Sequence, residues 1–572
     1  MFLPTTPKEM KALSWDRPDV ILVSGDTYID SPYMGIAVIG KVLMDAGIRT
    51  AVIAQPDIQS DNDIKRLGEP RLFWGVSGGC VDSLVANTTA SKKRRKNDDY
   101  TPGGKNDRRP DRAVIRYTNL IRQCHKQTVP IVLGGIEASL RRIAHYDFWS
   151  DRIRRSILFD AKADFLVYGM GEKTVVALAR ALQTDRSPLN IPGLCYIAQE
   201  KRAGYIELPS YETAAASHEK LIEMFRIFSE NGDPVTATGL CQQHASRYLV
   251  QNPPSAHLTT EELDAIHDLD YRRDLHPYYR KWGQVRALDT IRFSIPTHRG
   301  CYGECNFCAI SVHQGRQVTW RSDTSIIKEA KAITQLPGFK GIITDVGGPT
   351  ANMYGFECRR KIGEGGCRDK RCLHPSVCRS LKPNHSRLVN LLSALREIKE
   401  IRHVFTASGI RYDLILADTR HGDRYLKQIV RHHVSGQLKV APEHTEDTVL
   451  NHMGKPGRDL LIKFKRRFDA ISKKSGKRQF LTYYLIAAHP GCTDRDMRKL
   501  KKFTREKLKC SPEQVQIFTP TPSTWSSLMY HTRMDPFTGE KIFVEKTFKG
   551  REKQKQMIIP KKVPKGKKAG CI

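Results

Sequence analysis

The chain of 572 residues contains two series of short apolar runs that alternate with helical patterns. This alternation is typical of parallel sheets, because two parallel strands need a crossover, usually a helix, between them. The first series predicts a doubly wound, Rossmann-like sheet with strands at Val20–Ser24, Thr50–Ala54, Leu72–Val76, Ile131–Leu133 and Phe165–Tyr168. Between the first two strands, Met34–Ala46 predicts a helix that Gly47 ends. The fold class is therefore expected to be α/β.

The second series begins at Ile291. Its predicted strands are Ile291–Ile295, Gly341–Asp345, His403–Thr406, Gln437–Val440, Leu481–Ile486 and Gln514–Phe518. Ser325–Thr334 and Arg387–Ile398 are among the helices expected between them. Six βα units favour an open or partial barrel, in which the active site lies at the carboxyl ends of the strands.

A chain of this length is too long for one hydrophobic core, so several domains are expected. The predicted parts are an α/β domain at 1–205 with a basic polar loop at about 91–111, a mainly helical linker at 206–288, a barrel at 289–540 with a cysteine-rich insertion at 355–380, and a basic, disordered tail at 541–572.

Basic residues exceed acidic ones by 94 to 61, which gives a formal net charge of +33. The excess lies in the run 91–96 and in the tail after Lys549, and it continues in the folded parts, for example at Arg141–Arg142. Such runs are most often solvated, but a nucleic acid partner stays open. We find no signal peptide and no apolar stretch of membrane-spanning length, so we expect a cytoplasmic protein with no membrane partner.

Three of the fourteen cysteines form C-x3-C-x2-C in the loop RGCYGECNFCAI, directly after the first strand of the second series. In a chain without a secretory signal, clustered cysteines indicate metal ligands rather than disulfides. Cys301, Cys305 and Cys308 can ligate three irons of a 4Fe–4S cluster and leave the fourth iron open, unlike the four thiolates of a ferredoxin. A zinc site with His313 as the fourth ligand is the alternative.

A second cysteine group has the spacing C-x8-C-x4-C-x5-C and consists of Cys358, Cys367, Cys372 and Cys378. So many thiols among glycines and basic side chains predict a segment that folds around a metal. The sequence leaves three alternatives for this group, namely an auxiliary iron–sulfur cluster, a structural zinc or no metal. His374 could replace one of the cysteines as a ligand. Cys492 either faces the active site or is a buried structural cysteine.

The first cysteine motif, with the aromatic Phe307 before its last cysteine, resembles the radical S-adenosylmethionine (radical SAM) superfamily. The resemblance implies a partial (βα)6 barrel whose open iron is chelated by S-adenosyl-L-methionine. It also implies that an electron from a donor such as flavodoxin or ferredoxin cleaves this molecule to a 5′-deoxyadenosyl radical, which abstracts a substrate hydrogen.

Further residues match the positions at which that superfamily contacts S-adenosylmethionine. They follow the second, third and fourth strands of the barrel, and Pro349 replaces the glutamate of the family's Gly-Gly-Glu motif. The implied cofactor-binding residues are Phe307, Gly347, Gly348, Ser408, Arg411, Lys439 and Glu443.

Runs such as GDTYIDSPYMG, GGIEASLRR, KVAPEHT and TPTPSTWSSLMY are similar to the YgiQ-type radical SAM proteins, from about Asp19 to about Thr538. This resemblance implies no substrate. The alternatives are an RNA-modifying methyl or methylthio transferase of the same superfamily, and a non-enzymatic, nucleic-acid-binding iron–sulfur protein.

An α/β domain before such a barrel resembles the cobalamin-dependent branch of the superfamily. The branch's lower-ligand signature Asp-x-His-x-x-Gly is absent from the loop Asp26–Asp30, so we expect no cobalt–histidine bond there. Two roles of this domain are left open: it binds cobalamin without that ligand, or it holds substrate instead. Tyr28, Asp30 and the glycine turns would line either pocket.

Overall fold

The computed structural model describes residues 1–368, 370–513 and 515–559. The strands of its N-terminal part are β1 (Val20–Ser24), β2 (Ile29–Asp30), β3 (Thr50–Ala54), β4 (Phe73–Ser77), β5 (Ile131–Gly134), β6 (His145–Asp147), β7 (Arg152–Arg154), β8 (Phe165–Val167), β9 (Leu194–Ala198), β10 (Ile206–Leu208), β11 (Leu240–His244), β12 (Arg247–Gln251) and β13 (Asp274–Leu275). The helices of this part are α1 (Pro7–Ala12), α2 (Gly35–Asp45), α3 (Asn62–Lys65), α4 (Ser83–Asn87), α5 (Ala113–Cys124), α6 (Gly135–Leu140), α7 (Ile157–Ala161), α8 (Glu172–Gln183), α9 (Tyr211–Ala216), α10 (His218–Glu230), α11 (Thr260–Asp268), α12 (Pro277–Arg280) and α13 (Ala287–Ile291).

Nine of these strands form one sheet in the order β10-β11-β12-β9-β8-β5-β4-β1-β3. β1 pairs in parallel with both β3 and β4, so the strand order reverses at β1. The residues of β1 and β3 are all buried because helices cover both faces of the sheet. The five predicted strands of the first series are confirmed, with ends that differ by at most one residue.

The prediction of a mainly helical linker at 206–288 is wrong in its first half. β10, β11 and β12 extend the sheet, and β12 pairs antiparallel with β9 and β11. Their sequences, such as LCQQH, carry polar residues that are buried and satisfied by hydrogen bonds: Gln242 is 0% exposed, and its Nε2 donates to the Pro209 carbonyl at 3.0 Å. These segments therefore lack the uninterrupted apolar run from which a buried strand is predicted.

The basic loop at 91–111 covers the carboxyl ends of β1 and β4. Arg109 is only 1% exposed, and its Nη2 lies 2.6 Å from Asp26 Oδ1 and 3.0 Å from Asp98 Oδ2. Its Nε donates to the Gly25 carbonyl at 3.0 Å. Burial raises the pKa of Asp26, and the charge of Arg109 opposes that rise. The loop is thus tied down by a buried charge network.

The C-terminal part contains nine short strands among the described residues, which form three parallel sheets and one antiparallel pair. Its strands are β14 (Ser294–Pro296), β15 (His298–Arg299), β16 (Thr319–Trp320), β17 (Ile342–Ile343), β18 (Asp345–Gly347), β19 (His403–Val404), β20 (Gln437–Glu443), β21 (Phe480–Ala487) and β22 (Val515–Ile517). Its helices are α14 (Ile310–His313), α15 (Asp323–Thr334), α16 (Arg359–Glu364), α17 (Ser386–Arg396), α18 (Tyr412–Ala417), α19 (Gly422–Gln428), α20 (Asp447–Met453), α21 (Arg458–Lys474), α22 (Asp494–Phe503), α23 (Trp525–Thr532) and α24 (Phe548–Ile558).

Parallel pairs join β14 to β18, β17 to β19, β20 to β21 and β21 to β22, and a parallel bridge joins Ile410 to Val440. This arrangement agrees with the predicted open barrel. The first predicted strand is misplaced, since Ile291 ends a helix and the strand begins at Ser294. Gln514, the predicted start of the last strand, lies outside the described residues.

The start of the predicted disordered tail is ordered. α24 packs beside α22, β21 and β22, and the buried Gln554 accepts a hydrogen bond from Ala488 N at 3.0 Å. The rest of that prediction, at 560–572, lies outside the described residues. Within the described ranges, no helix combines the length and the apolar character needed to cross a membrane.

We predict that Arg109→Met lowers the free energy of unfolding by about 3–5 kcal/mol, because Asp26 and Asp98 lose a buried counter-charge. Arg94→Met is the matched control, since Arg94 pairs with Asp111 at 3.2 Å in the same loop but is about half exposed. We expect it to cost less than about 1 kcal/mol. Equal urea midpoints for the two variants would contradict the buried network.

Candidate functional site

A cavity of about 730 Å³ lies between the N-terminal sheet and the barrel. Its wall includes Tyr168–Met170 at the carboxyl end of β8, the loop 254–258, and residues 523–525 and 535–538. Cys305 and Cys308 of the first cysteine motif, and Cys367 of the second, also lie in this wall. The cavity is therefore bordered by two cysteines of the first group and one of the second.

The loop of the first motif follows β15 and is held tightly. Gly300 has φ +81°, and a Cβ there would lie 2.0 Å from the Gln317 carbonyl oxygen, so only glycine fits. Asn306 donates from its backbone N to the Met453 carbonyl at 2.9 Å and from Nδ2 to the His452 carbonyl at 2.8 Å. The loop is thus fixed to the end of α20.

Two thiols of the motif converge on Gly303. A Cβ at Gly303 would lie 3.2 Å from Cys301 Sγ and 3.5 Å from Cys305 Sγ, and Gly303 N donates to Cys301 Sγ at 3.3 Å. Burial raises the pKa of Cys301, and it raises the pKa of Cys308 to about 12, with Cys305 adding to both. These groups are neutral thiols near pH 7 until a metal displaces their protons.

No three His, Cys, Asp or Glu side chains within the described ranges are placed so that they could hold a metal ion. His313 does not join the thiols as a zinc ligand: its Nδ1 lies 3.1 Å from Ser139 Oγ, on the N-terminal side of the cavity. Burial lowers the pKa of His313 to about 4, so it is neutral near pH 7. His313 therefore does not supply the fourth ligand that the zinc alternative requires.

Arg411 lies beside the cysteine loop. Its Nη1 is 3.7 Å from Cys305 Sγ, while Nε and Nη2 donate to Asp413 at 2.8 and 2.6 Å. Glu443 is buried at the bulge of β20 with φ +68°, which is a strained backbone for glutamate. Burial raises the pKa of Glu443, although Lys455 and Arg411 oppose the rise.

The glycine pair lies at the end of β18, which is the neighbour of β14. Gly347 is the last residue of this strand, and Gly348 follows it. Gly347 O accepts a hydrogen bond from Thr297 N at 2.7 Å, and a Cβ at Gly348 would meet the His298 ring at 2.6 Å. Close packing therefore requires glycine at 348.

Three other predicted cofactor contacts have different surroundings. The Ser408 hydroxyl already donates to Asp345 Oδ2. Lys439 is half-buried on β20, and its side chain has no hydrogen bond or ion pair in the part of the chain described. Phe307 lies edge-on to His489, with ring centroids 6.3 Å apart, and packs into the apolar core rather than lining the cavity.

The second cysteine group is also brought together. Its four members line one small pocket with Lys361 and Arg371. Lys361 Nζ lies 3.7 Å from Cys372 Sγ and 3.4 Å from Glu304 Oε1, so it connects the two cysteine motifs. Tyr302 and Cys301 pack in the same apolar cluster as Cys358, Cys372 and Cys378.

His374, the predicted substitute ligand, and Cys492, with its two possible roles, lie apart from the cysteine groups. His374 lines the large cavity, and its Nδ1 is 3.3 Å from the Lys455 carbonyl, so it does not replace a cysteine. Cys492 is fully buried, and its Sγ lies 3.6 Å from His444 Nε2. Of its two predicted roles, this position favours a buried structural cysteine over one that faces the active site.

The prediction that Tyr28 and Asp30 line a pocket is wrong. Both are fully buried, Asp30 Oδ2 lies 3.3 Å from Lys41 Nζ, and the Tyr28 hydroxyl accepts a hydrogen bond from Leu3 N at 3.0 Å. Sequence reasoning also missed Arg142, Tyr168 and Phe228, which line the cavity from the N-terminal side. The only signal was the pair Arg141–Arg142, which looked like general basic charge.

The sequence matches the family described as Radical SAM N-terminal over residues 2–294 and the one described as Radical SAM superfamily over residues 295–504. A UPF0313 protein of Fusobacterium nucleatum is 55% identical over 562 residues, which cover 98% of this chain and 99% of the relative. A UPF0313 protein of Thermotoga petrophila is 48% identical over 565 residues, with coverage of 98% and 99%.

Among solved structures, the chain is similar to the radical S-adenosylmethionine methyltransferase TsrM from Kitasatospora setae, solved with cobalamin and a [4Fe-4S] cluster bound. The TM-score is 0.50 at 15% sequence identity, over 88% of this chain and 76% of TsrM. At this identity the likeness concerns the fold.

Proposed function

We propose that this chain, which belongs to the radical SAM superfamily and within it to the UPF0313 family, is an enzyme that cleaves S-adenosylmethionine reductively. The ligands of its 4Fe–4S cluster are Cys301, Cys305 and Cys308. The observation that carries the proposal is the cysteine loop itself, which is fixed to α20, brings Cys301 and Cys305 together at Gly303, and places Cys305 and Cys308 in the wall of the large cavity. When bound, the cluster would supply an electron to S-adenosylmethionine and so generate the radical that abstracts a substrate hydrogen.

The residues around the loop suit a negatively charged cluster and a zwitterionic cofactor. Arg411, fixed by Asp413, offsets thiolate charge at Cys305. Of Ser408 and Arg411, which both follow the third strand, Arg411 is the favoured contact to S-adenosylmethionine, since the Ser408 hydroxyl is engaged with Asp345.

Other residues supply backbone, polar or packing contacts. The backbone of Gly347 and Gly348 supplies contacts to the methionine amino group, while Lys439 and Glu443 supply polar contacts from β20. Phe307 acts as a positioning residue, because its ring anchors the loop against His489.

The residues at the switch point of the N-terminal sheet do not fit cobalamin. In a doubly wound sheet the ligand occupies the crevice where the strand order reverses, here at the carboxyl ends of β1 and β4. Arg109, Asp26 and Asp98 fill that crevice with a buried ion-pair network. No histidine is present in the loop Asp26–Asp30, so this loop offers no lower ligand to a cobalt ion.

We also propose that Cys358, Cys367, Cys372 and Cys378 ligate a second iron–sulfur cluster. Their common pocket holds about 10 Å³ as the side chains stand, so the thiols must rotate outward around a cluster. Irregular backbone at Cys367, Cys372 and Cys378 permits such rotation. Lys361 and Arg371 in the pocket wall would offset the charge of four thiolates.

Cleavage activity tests the main proposal. After anaerobic reconstitution with iron and sulfide, we expect dithionite-dependent release of 5′-deoxyadenosine that falls at least 100-fold in Cys301→Ala, because the cluster loses a ligand. Cys124→Ala, which changes a partly exposed cysteine at the end of α5, should keep release within twofold. An electron donor such as flavodoxin or ferredoxin should replace dithionite.

A wild type that carries its cluster but releases no 5′-deoxyadenosine would instead favour the non-enzymatic iron–sulfur protein. Methylation or methylthiolation of transfer RNA by the reconstituted protein would identify the RNA-modifying alternative. The net charge of +33 is compatible with both outcomes, so it does not choose between them.

Metal content tests the second cluster. We expect about eight irons and eight acid-labile sulfides per wild-type chain, and about four of each in a variant with all four cysteines from 358 to 378 changed to alanine. The triple alanine variant of Cys301, Cys305 and Cys308 should keep the other four. One zinc ion that is lost only from the four-cysteine variant would contradict this assignment.

A further inference from the structure

The N-terminal wall of the cavity contains a buried guanidinium with fixed orientation. Arg142 follows α6, is only 4% exposed and lines the cavity. Its Nε donates to Gln251 Oε1 at 2.9 Å and its Nη1 to the Ser139 carbonyl at 2.5 Å. The guanidinium carbon lies 4.5 Å from the ring centroid of Tyr168 and 4.4 Å from that of Phe228. The two rings and two hydrogen bonds hold the plane of the group.

Arg142 has no carboxylate partner among the described residues, in contrast with the basic residues near it. Arg141 pairs with Asp82 at 2.8 Å, and Lys173 pairs with Glu262 at 2.7 Å. Burial lowers the pKa of Arg142, with no carboxylate to oppose it, but a guanidinium still stays charged near pH 7. An isolated buried charge costs several kcal/mol, so a ligand that supplies the counter-charge would be bound strongly.

A second guanidinium lies near the cysteine loop on the barrel side of the same cavity. Arg371 Nη1 donates to Asn306 Oδ1 at 2.6 Å, its guanidinium carbon lies 5.0 Å from the Phe537 ring centroid, and it forms no ion pair in the described ranges. Of the charged side chains that line the cavity, eight are basic and four are acidic. Lys173 and Arg299 pair with Glu262 and Glu172 outside the wall, and Arg371 also borders the second cysteine group, so among the described residues Arg142 is the buried cation of this wall that is left without an anionic partner.

We propose that Arg142 binds an anionic group, a carboxylate or a phosphate, of the substrate, which then lies between Arg142 and the cysteine loop. The inference rests on the proposed function, because it takes the large cavity as the place where the radical meets its substrate. Of the five N–H donors of Arg142, the protein uses two, which leaves three for bidentate contact with a planar or tetrahedral anion. Tyr168 and Phe228 shield these contacts from water, which strengthens them.

Anion binding by the reconstituted protein tests the inference, with inorganic phosphate and malonate as the probes in isothermal titration calorimetry. We expect wild type to bind at least one probe, and Arg142→Met to weaken that binding at least tenfold. Arg247→Met is the matched control, since Arg247 also stacks on an aromatic ring, 5.2 Å from the centroid of Phe159, but lies outside the cavity wall. It should bind within twofold of wild type, and the preferred probe identifies the anion.

S-adenosylmethionine carries a carboxylate too, so its affinity is measured in parallel and should change less than twofold in Arg142→Met. Arg142→Lys keeps the charge but loses the flat, forked geometry, and we expect an intermediate loss of anion affinity. If circular dichroism shows that Arg142→Met is unfolded, Arg142→Lys is used in its place.

Three results would overturn the inference: no binding of either probe to wild type, unchanged binding in the folded Arg142 variants, or a parallel loss of S-adenosylmethionine. Cys301→Ala separates this inference from the proposed function, because it should abolish 5′-deoxyadenosine release while phosphate and malonate still bind.

Discussion

The arrangement of the site depends on Asn306, a residue inside the first cysteine motif. It is 2% exposed and forms four hydrogen bonds: two to the end of α20, one from Ser526 N to its carbonyl at 2.9 Å, and one from Arg371 at 2.6 Å. These partners belong to helix α20, to helix α23 and to the cysteine-rich insertion. One asparagine thus sets where the cysteine loop lies relative to three walls of the cavity. A loop whose backbone is fixed in this way leaves only the side chains of its cysteines to reorient around a metal centre, which lowers the cost of assembling that centre.

Above that loop, the N-terminal sheet contributes a wall and not a separate ligand crevice. The crevice at β1 and β4 is filled by Arg109 and its two carboxylates, whereas the carboxyl end of β8 is open to the cavity. The fold is similar to that of an enzyme solved with cobalamin bound. In this chain, however, protein side chains fill the crevice at the point where the strand order reverses. The place left for a ligand is the space between the sheet and the cysteine loop, where Arg142 provides uncompensated charge.

Sequence patterns predicted the elements whose residues are all buried. Val20–Ser24 and Thr50–Ala54 were predicted to the residue, because strands covered on both faces leave uninterrupted apolar runs. The strands β10–β12 were missed because polar residues such as Gln242 interrupt the apolar run, although Gln242 is buried and hydrogen-bonded in the folded chain. Helix α24 was missed because its charged sequence looks solvated, although Arg551, Gln554 and Ile558 are buried by contacts with the barrel.

For the site, spacing along the chain predicted the two cysteine groups, and the structure places two cysteines of the first group and one of the second at the large cavity. Spacing could not predict that Lys361 and Tyr302 connect them, since these contacts join residues far apart in sequence. It also could not separate Arg142 from Arg141, which differ only in whether a carboxylate lies within reach. Charge compensation is a property of the folded chain.

The central claim is that the cluster of the first motif has an open iron that S-adenosylmethionine binds. Electron paramagnetic resonance of the dithionite-reduced protein, before and after addition of S-adenosylmethionine, tests it most directly. We predict that the g values of the cluster shift on addition, and that the variant without the four cysteines of the second group shows the same shift. An unchanged spectrum from protein that contains a reduced cluster would contradict the account.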